Sequence, residues 1–248
     1  MGSQMSVSRI KRLGIATICV VAVVASVLAI VALIRPGNEP EQAPVRQPLA
    51  VFLGDSYAEG SQVEVPQRYV SIVSEAMHWT LENRSEGGTG YVTDGPVQFP
   101  DRAPFTDRID EIIALHPDVV VVAGGLNDAN RDYSEDELRA AISATFGKLQ
   151  EGLPDATIIA LGPIWPDGKP NRSVIQVNDI IREVAVAADI PYIDPITSPW
   201  ITGSRNGLVE GNRDKYIGED GTHPSVEGQA YIARKLIEEL TALGIAPA

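Results

Sequence analysis

The 248-residue chain has 20 lysines and arginines against 33 acidic residues, a net charge of −13, with 44% hydrophobic and 21% charged residues. That balance is globular rather than disordered, and the acidic excess excludes a general electrostatic grip on nucleic acid or anionic lipid. A single cysteine, Cys19, excludes a disulfide framework, and His78, His116 and His223 lie too far apart in sequence for zinc-ligand spacing, so no metal or other cofactor is expected.

Residues 13–34, LGIATICVVAVVASVLAIVALI, contain neither charge nor proline, and Arg9, Lys11 and Arg12 precede them. At about 1.5 Å of rise per residue such a helix crosses a bilayer core of about 30 Å. Basic residues on the leading flank predict that 1–12 stay in the cytoplasm and that the remainder lies outside. The run exceeds the apolar region of about 7–15 residues in a signal peptide, and Leu33-Ile34-Arg35 is a poor cleavage site. A retained single-pass anchor is therefore expected, with secretion after cleavage as the alternative. Residues 35–48, rich in Pro, Glu and Gln, read as a linker. Residues 49–248 form one domain by size, expected to be monomeric. The chain beyond residue 35 holds 16 basic and 33 acidic residues, a net −17 that favours neutral or weakly charged substrates.

Within that domain, apolar runs alternate with amphipathic ones. LAVFLG (49–54) reads as the first strand. PQRYVSIVSEAMHW follows with helical spacing, and Pro66 suits a first helical position. TLENRS reads as a second strand. DVVVVAGG (118–125) has four consecutive valines, as expected of a parallel strand covered on both faces. SEDELRAAISATFGKLQEGL opens on a capping-box pair, Ser134 and Glu137, with acidic residues in its first turn. ATIIALG is β-rich, SVIQVNDIIREVAVAAD is helical, PYID (191–194) is a short strand, and a last helix runs from about Pro224 to Leu243. The alternation predicts an α/β fold, a parallel sheet with helices on both faces. In such sheets ligands bind beyond the carboxyl ends of the strands.

Three strand ends carry unusual residues: Gly54-Asp55-Ser56, Gly87-Gly88 and Gly125-Leu126-Asn127-Asp128. A fourth segment, GEDGTHPS, precedes the last helix. Each alone reads as a turn, since Gly, Asp, Asn and Ser favour turns. Together on one sheet edge they suit nucleophilic catalysis, because a serine hydroxyl needs a base, usually histidine, held by a third group. His223 is the candidate base. Asp220, three residues earlier, is close enough to return its carboxylate to the imidazole within one turn. His116, before Pro117, reads as a connector between a helix and a strand, and His78, beside Trp79 among helical apolar residues, as structural. Acyl transfer builds an oxyanion, for which a backbone N–H at Gly88 and the neutral amide of Asn127 are suitable donors; the plain readings are a flexible loop for Gly88 and a cap or Asx-turn for Asn127.

The four segments in order, GDSY (54–57), NRSEGGTGY (83–91), GGLND (124–128) and DGTH (220–223), resemble the blocks of the SGNH, or GDSL-like, hydrolase family. The resemblance spans almost the whole domain. It implies a three-layer α/β/α sandwich with a flavodoxin-like parallel sheet and metal-free ester hydrolysis. It further implies Ser56 as nucleophile, His223 as base, Asp220 as its orienter, and an oxyanion hole from the Ser56 N–H, the Gly88 N–H and the Asn127 side chain. Two departures stand out: Tyr57 replaces the Leu of the first block, with no mechanistic effect expected, and adjacent Gly87 and Gly88 allow the second block to slip by one. The Gly-x-Ser-x-Gly elbow of the α/β-hydrolases is absent around Ser56, where position 58 is alanine.

Asp55, Tyr57, Trp165 and Trp200 are candidate substrate-lining residues, and residues 198–216 are long enough for a lid or binding loop. No long apolar groove is legible, so short acyl esters, acetyl among them, are favoured over long chains, on a cell-envelope glycan if the anchor holds the domain outside. An O-acyltransferase using the same serine and a catalytically silent glycan-binding domain are the alternatives.

Overall fold

The computed structural model describes residues 46–248, of which Gln47–Ala248 form one compact unit. Five parallel strands make the central sheet: β1 (Leu49–Gly54), β2 (Thr80–Asn83), β3 (Val119–Ala123), β4 (Thr157–Leu161) and β5 (Tyr192–Ile193), in the order β2-β1-β3-β4-β5. The helices are α1 (Ser56–Glu59), α2 (Tyr69–Ala76), α3 (Ile109–Ala114), α4 (Leu126–Ala129), α5 (Glu135–Gly152), α6 (Arg172–Ala187), α7 (Arg213–Tyr216) and α8 (Val226–Ala242). The strand order is the flavodoxin-like one expected of the resemblance.

The order fixes the layers. The chain steps from β1 to one side, then reverses and steps past β1 to β3, β4 and β5. Right-handed crossovers place α2 on one face and α3, α5 and α6 on the other. Accordingly α2 packs on the returning α8, while α5 packs on both α3 and α6. Residues 50–53 of β1 and 120–122 of β3 are fully buried, which accounts for their unbroken apolar sequence. Ser134 and Glu137 form the expected capping box of α5, and Asn171 and Ser225 cap α6 and α8 through their side chains.

Two local expectations change. The helix expected from Pro66 through Trp79 is split: Val65–Gln67 is a 3₁₀ turn, Arg68 is extended (ψ 140°), and α2 starts at Tyr69. Its first N–H is taken by the Gln229 side chain of α8 at 2.8 Å, a tertiary contact that sequence periodicity does not register. Beyond α2, His78 is exposed with φ 56°, in a left-handed turn rather than among packed helical residues. His116 does occupy the α3–β3 connector, at φ 50°. Among the described residues no helix is long and apolar enough to cross a membrane, and the uncharged stretch 13–34 lies outside them.

Candidate active site

At the carboxyl end of β1, Asp55 leaves the strand and accepts the Tyr57 N–H at 2.9 Å, capping the one-turn helix α1. Ser56 therefore stands at the sheet edge rather than in it. Beside it β3 runs into Gly124 and Gly125, whose φ of 111° turns the chain so that Asn127 rises from α4. The β1/β3 boundary is where the strand order reverses, the point at which open α/β sheets form their crevice.

The Asp220–His223 turn meets this corner from the opposite end of the chain. Ser56 Oγ lies 2.9 Å from His223 Nε2, and His223 Nδ1 lies 2.6 Å from Asp220 Oδ2. With its proton on Nδ1, the imidazole donates to the carboxylate and leaves Nε2 to accept from the serine hydroxyl. Asp220 Oδ1 also accepts the Thr222 and His223 N–H groups, each at 2.9 Å. Burial pushes the Asp220 carboxyl up, but these N–H donors and the His223 ring outweigh it and hold the group at about 2. It stays ionised across the neutral range, as an orienting carboxylate must.

Gly88, in the irregular stretch after β2, has φ 84°, a left-handed conformation open mainly to glycine. A Cβ there would also lie 2.7 Å from Pro96 Cδ. Asn127 Nδ2 donates to the Thr89 carbonyl at 2.9 Å, which ties the second corner to the third. The structure thus brings Ser56, Asp220 and His223 into one hydrogen-bonded row and links the Gly88 and Asn127 corners.

Five residues that hold these corners went unread in the sequence. Asp128, only 1% exposed, accepts the N–H groups of Tyr91, Val92 and Thr93 at 2.9, 3.0 and 3.0 Å and the Thr93 hydroxyl at 2.9 Å. Arg108 donates to the Arg84 carbonyl and the Thr89 hydroxyl. Glu59 and Arg102 together grip Gly87. Arg213 donates to the Gly221 carbonyl inside the histidine turn. For Asp128 the available signal was its place in GGLND; for the arginines none was available, because each donates to a backbone carbonyl, a group that every residue carries.

The candidate lining residues fare differently. Trp200 is 1% exposed and has no face for a sugar; it anchors the 198–216 segment, and its carbonyl accepts the Asn212 amide at 2.8 Å. Tyr57 is buried, and its hydroxyl donates to the Thr222 carbonyl at 2.6 Å, so the tyrosine in place of leucine ties the serine corner to the histidine turn. Trp165 is half-buried and donates to the Lys169 carbonyl at 3.1 Å, closing its own turn. Asp55 and Tyr57 line only a small cavity beneath the corner, shared with Tyr69, Gly124 and Ile164.

Asp55 itself is buried, and that burial pushes its carboxyl up to about 7 despite the Tyr57 N–H and the nearby His223. The folded state then binds the proton more tightly than the unfolded chain, where the group titrates near 3.8. Its stabilising contribution is complete below pH 3.8 and declines as pH rises through about 7. Replacing Asp55 by asparagine is expected to remove this decline. Urea unfolding of both proteins at several pH values between 4 and 8 checks it; parallel curves would assign Asp55 an ordinary carboxyl.

A family model described as the GDSL-like lipase/acylhydrolase family matches residues 52–231. The chain belongs to that family. This GDSL-family protein is a carboxylic ester hydrolase. It is 25% identical over 197 residues to a GDSL lipase of Mycobacterium tuberculosis, covering 76% of this chain and 79% of that protein. It is 22% identical over 191 residues to an arylesterase of Vibrio mimicus, covering 77% and 86%. Its fold is also that of a carbohydrate acetylesterase from Sinorhizobium meliloti, with a TM-score of 0.59 at 14% identity over 79% of this chain and 99% of that one.

Proposed function

We propose that this GDSL-family hydrolase cleaves short-chain acyl esters, acetyl esters of cell-envelope glycans foremost, through a covalent acyl-enzyme on Ser56. The observation that carries this reading is the unbroken row Asp220–His223–Ser56, with links of 2.6 and 2.9 Å. In the first step His223 Nε2 takes the Ser56 proton as Oγ attacks the ester carbonyl. The Ser56 and Gly88 N–H groups and the Asn127 amide receive the charge on the carbonyl oxygen, and the protonated His223 returns its proton to the leaving alcohol. Water, deprotonated by the same histidine, then attacks the acyl carbon, and His223 returns that proton to Ser56 Oγ as the acid leaves. Asp220 holds the tautomer and offsets the imidazolium charge. Every proton and charge in this cycle is handled by these side chains and amides, so the reaction is proposed to need no cofactor and the domain to act as a monomer.

Two features support the narrower terms. The net −17 beyond residue 35 suits an uncharged substrate. The charge-free run 13–34 behind Arg9, Lys11 and Arg12 supports a single-pass anchor with the hydrolase domain outside the cytoplasm; a carbohydrate acetylesterase among the structural neighbours fits the same picture.

The deciding experiment measures hydrolysis of p-nitrophenyl acetate, butyrate and octanoate, and of an acetylated glycan, by the chain and its Ser56→Ala variant. Acetate preference lost in the variant supports the reading, whereas octanoate preference removes the short-acyl assignment. Deacylation faster with glycan hydroxyls than with water would make the protein a transferase. Binding of glycan unchanged in Ser56→Ala, with no turnover in the parent, would make it a binding domain. Replacing Asn127 by alanine is expected to lower kcat about 10²–10³-fold, and an unchanged kcat would remove its amide from the oxyanion site.

A further inference from the structure

Gly87, the residue before the proposed oxyanion donor, is held at both of its polar atoms by one ion pair. Its N–H donates to Glu59 Oε2 at 3.1 Å, and its carbonyl accepts from Arg102 Nη1 at 2.7 Å. The two side chains close the ring, Arg102 Nη2 lying 2.5 Å from Glu59 Oε1. Both are only about a quarter exposed, at 24% and 28%, and the guanidinium rests over the Phe99 ring, 4.5 Å from its centroid. The space is filled to the limit: a Cβ on Gly87 would lie 2.6 Å from Glu59 Oε2, 2.9 Å from Arg102 Nη1 and 3.3 Å from Ser56 Cβ.

The carbonyl of Gly87 and the N–H of Gly88 belong to one peptide unit. That unit is planar and trans, so its C=O and N–H point in opposite directions. Fixing the carbonyl on Arg102 therefore fixes the direction of the Gly88 N–H on the other side. A cationic donor on the carbonyl oxygen also draws electron density along the amide and makes its N–H a stronger donor. Glu59, three residues after Ser56 on α1, ties this arrangement to the helix that carries the serine.

We infer that the Glu59–Arg102 pair is a positioning device that aims and polarises the Gly88 N–H at the ester oxyanion. The inference rests on the Ser56 esterase reading. Glu59 and Arg102 touch neither substrate nor serine oxygen in this role; they act through the Gly87–Gly88 peptide. The pair strengthens a contact that matures as charge develops, so it affects the transition state more than the bound ester.

The test compares the parent with Arg102→Met and Glu59→Gln, the latter keeping an acceptor for the Gly87 N–H without the charge. Three readings are made on each: kcat and KM for p-nitrophenyl acetate, the affinity of a short alkylboronic acid that adds to the serine as a tetrahedral anion, and the stoichiometry of Ser56 labelling by an alkyl phosphonate, located by mass spectrometry. Arg102→Met is expected to lower kcat about 10–10²-fold with KM nearly unchanged, somewhat less than loss of a whole oxyanion donor. Boronate affinity should fall by a similar factor. Glu59→Gln should show the same split with a smaller loss, and it decides the matter if Arg102→Met does not fold. A loss carried in KM, or a kcat loss with unchanged boronate affinity, would assign the pair a merely structural role and overturn the inference. Absence of labelling at Ser56 and of ester turnover in the parent would overturn the esterase reading and this inference with it. A labelled, active parent whose variants match it in kcat would overturn the inference alone.

Discussion

Replacing Ser56 with alanine is expected to lower ester turnover by at least about 10⁴-fold while the fold remains intact. The hydroxyl is the one atom in the row positioned to form a bond to an acyl carbon, and His223 has nothing to deprotonate without it. What survives is the proposed oxyanion site, enough for a weak residual rate through water. Structurally the change is mild. The Ser56 hydroxyl is half-buried and bonds His223 Nε2, and the corner around it is fixed by other groups: the Asp55 cap on Tyr57, the Gly60 N–H on the Ser56 carbonyl and the Tyr57 hydroxyl on Thr222. The check is a steady-state assay paired with thermal unfolding. An unchanged melting temperature with residual turnover above one-hundredth of the parent would place the nucleophile elsewhere.

Replacing Asp128 with alanine is expected to cost at least about 3 kcal/mol of stability, because four buried donors lose the acceptor they share. Its carboxylate is the shared acceptor for the Tyr91, Val92 and Thr93 N–H groups and the Thr93 hydroxyl, in a place that is 1% exposed. Alanine leaves these donors facing a void, and each unpaired buried donor carries its own desolvation penalty of about 1–3 kcal/mol. Asparagine separates charge from shape. With its oxygen in the Oδ1 position it keeps three of the four donors, but its amide then meets the Tyr91 N–H as donor against donor. Asp128→Asn should therefore lose less than Asp128→Ala and still fall below the parent. Denaturant midpoints of the three proteins check the order. Equal midpoints for parent and alanine variant would mean that solvent reaches the 91–93 turn.

Asp128 follows Asn127 on α4. Asn127 reaches back to Thr89 and Asp128 back to residues 91–93, so adjacent residues of α4 grip the same irregular stretch on which Gly88 sits. Arg108 holds that stretch at Thr89, and the Glu59–Arg102 pair holds it at Gly87. A glycine in a left-handed conformation is flexible on its own; here its surroundings over-determine it, as the proposed role of its N–H as a donor aimed in advance of the reaction requires.

Much of this was decided by sequence alone. Unbroken valines specified a doubly covered parallel strand in β3, and Ser134 with Glu137 specified the start of α5, because pattern and capping act over a few residues. The alternation of strands and helices specified the sheet, and the order of GDSY, GGTGY, GGLND and DGTH specified the family and its candidate residues. The 2.6 Å Asp220–His223 link was also local, lying within one turn. Only the tertiary structure decided that Ser56 and His223, 167 positions apart, meet at 2.9 Å. It alone buried Trp200 and gave Tyr57 a partner in the histidine turn. It also split the helix expected at Pro66 by giving the Tyr69 N–H to Gln229, and recruited Glu59, Arg102, Arg108, Asp128 and Arg213 to hold the corners. The physical reason is common to all of these. Each depends on segments that the fold rather than local sequence sets side by side, and where the partner is a backbone amide or carbonyl, as at Tyr69, Gly87 and Thr222, every residue carries the same group, so the pairing leaves no mark in the sequence.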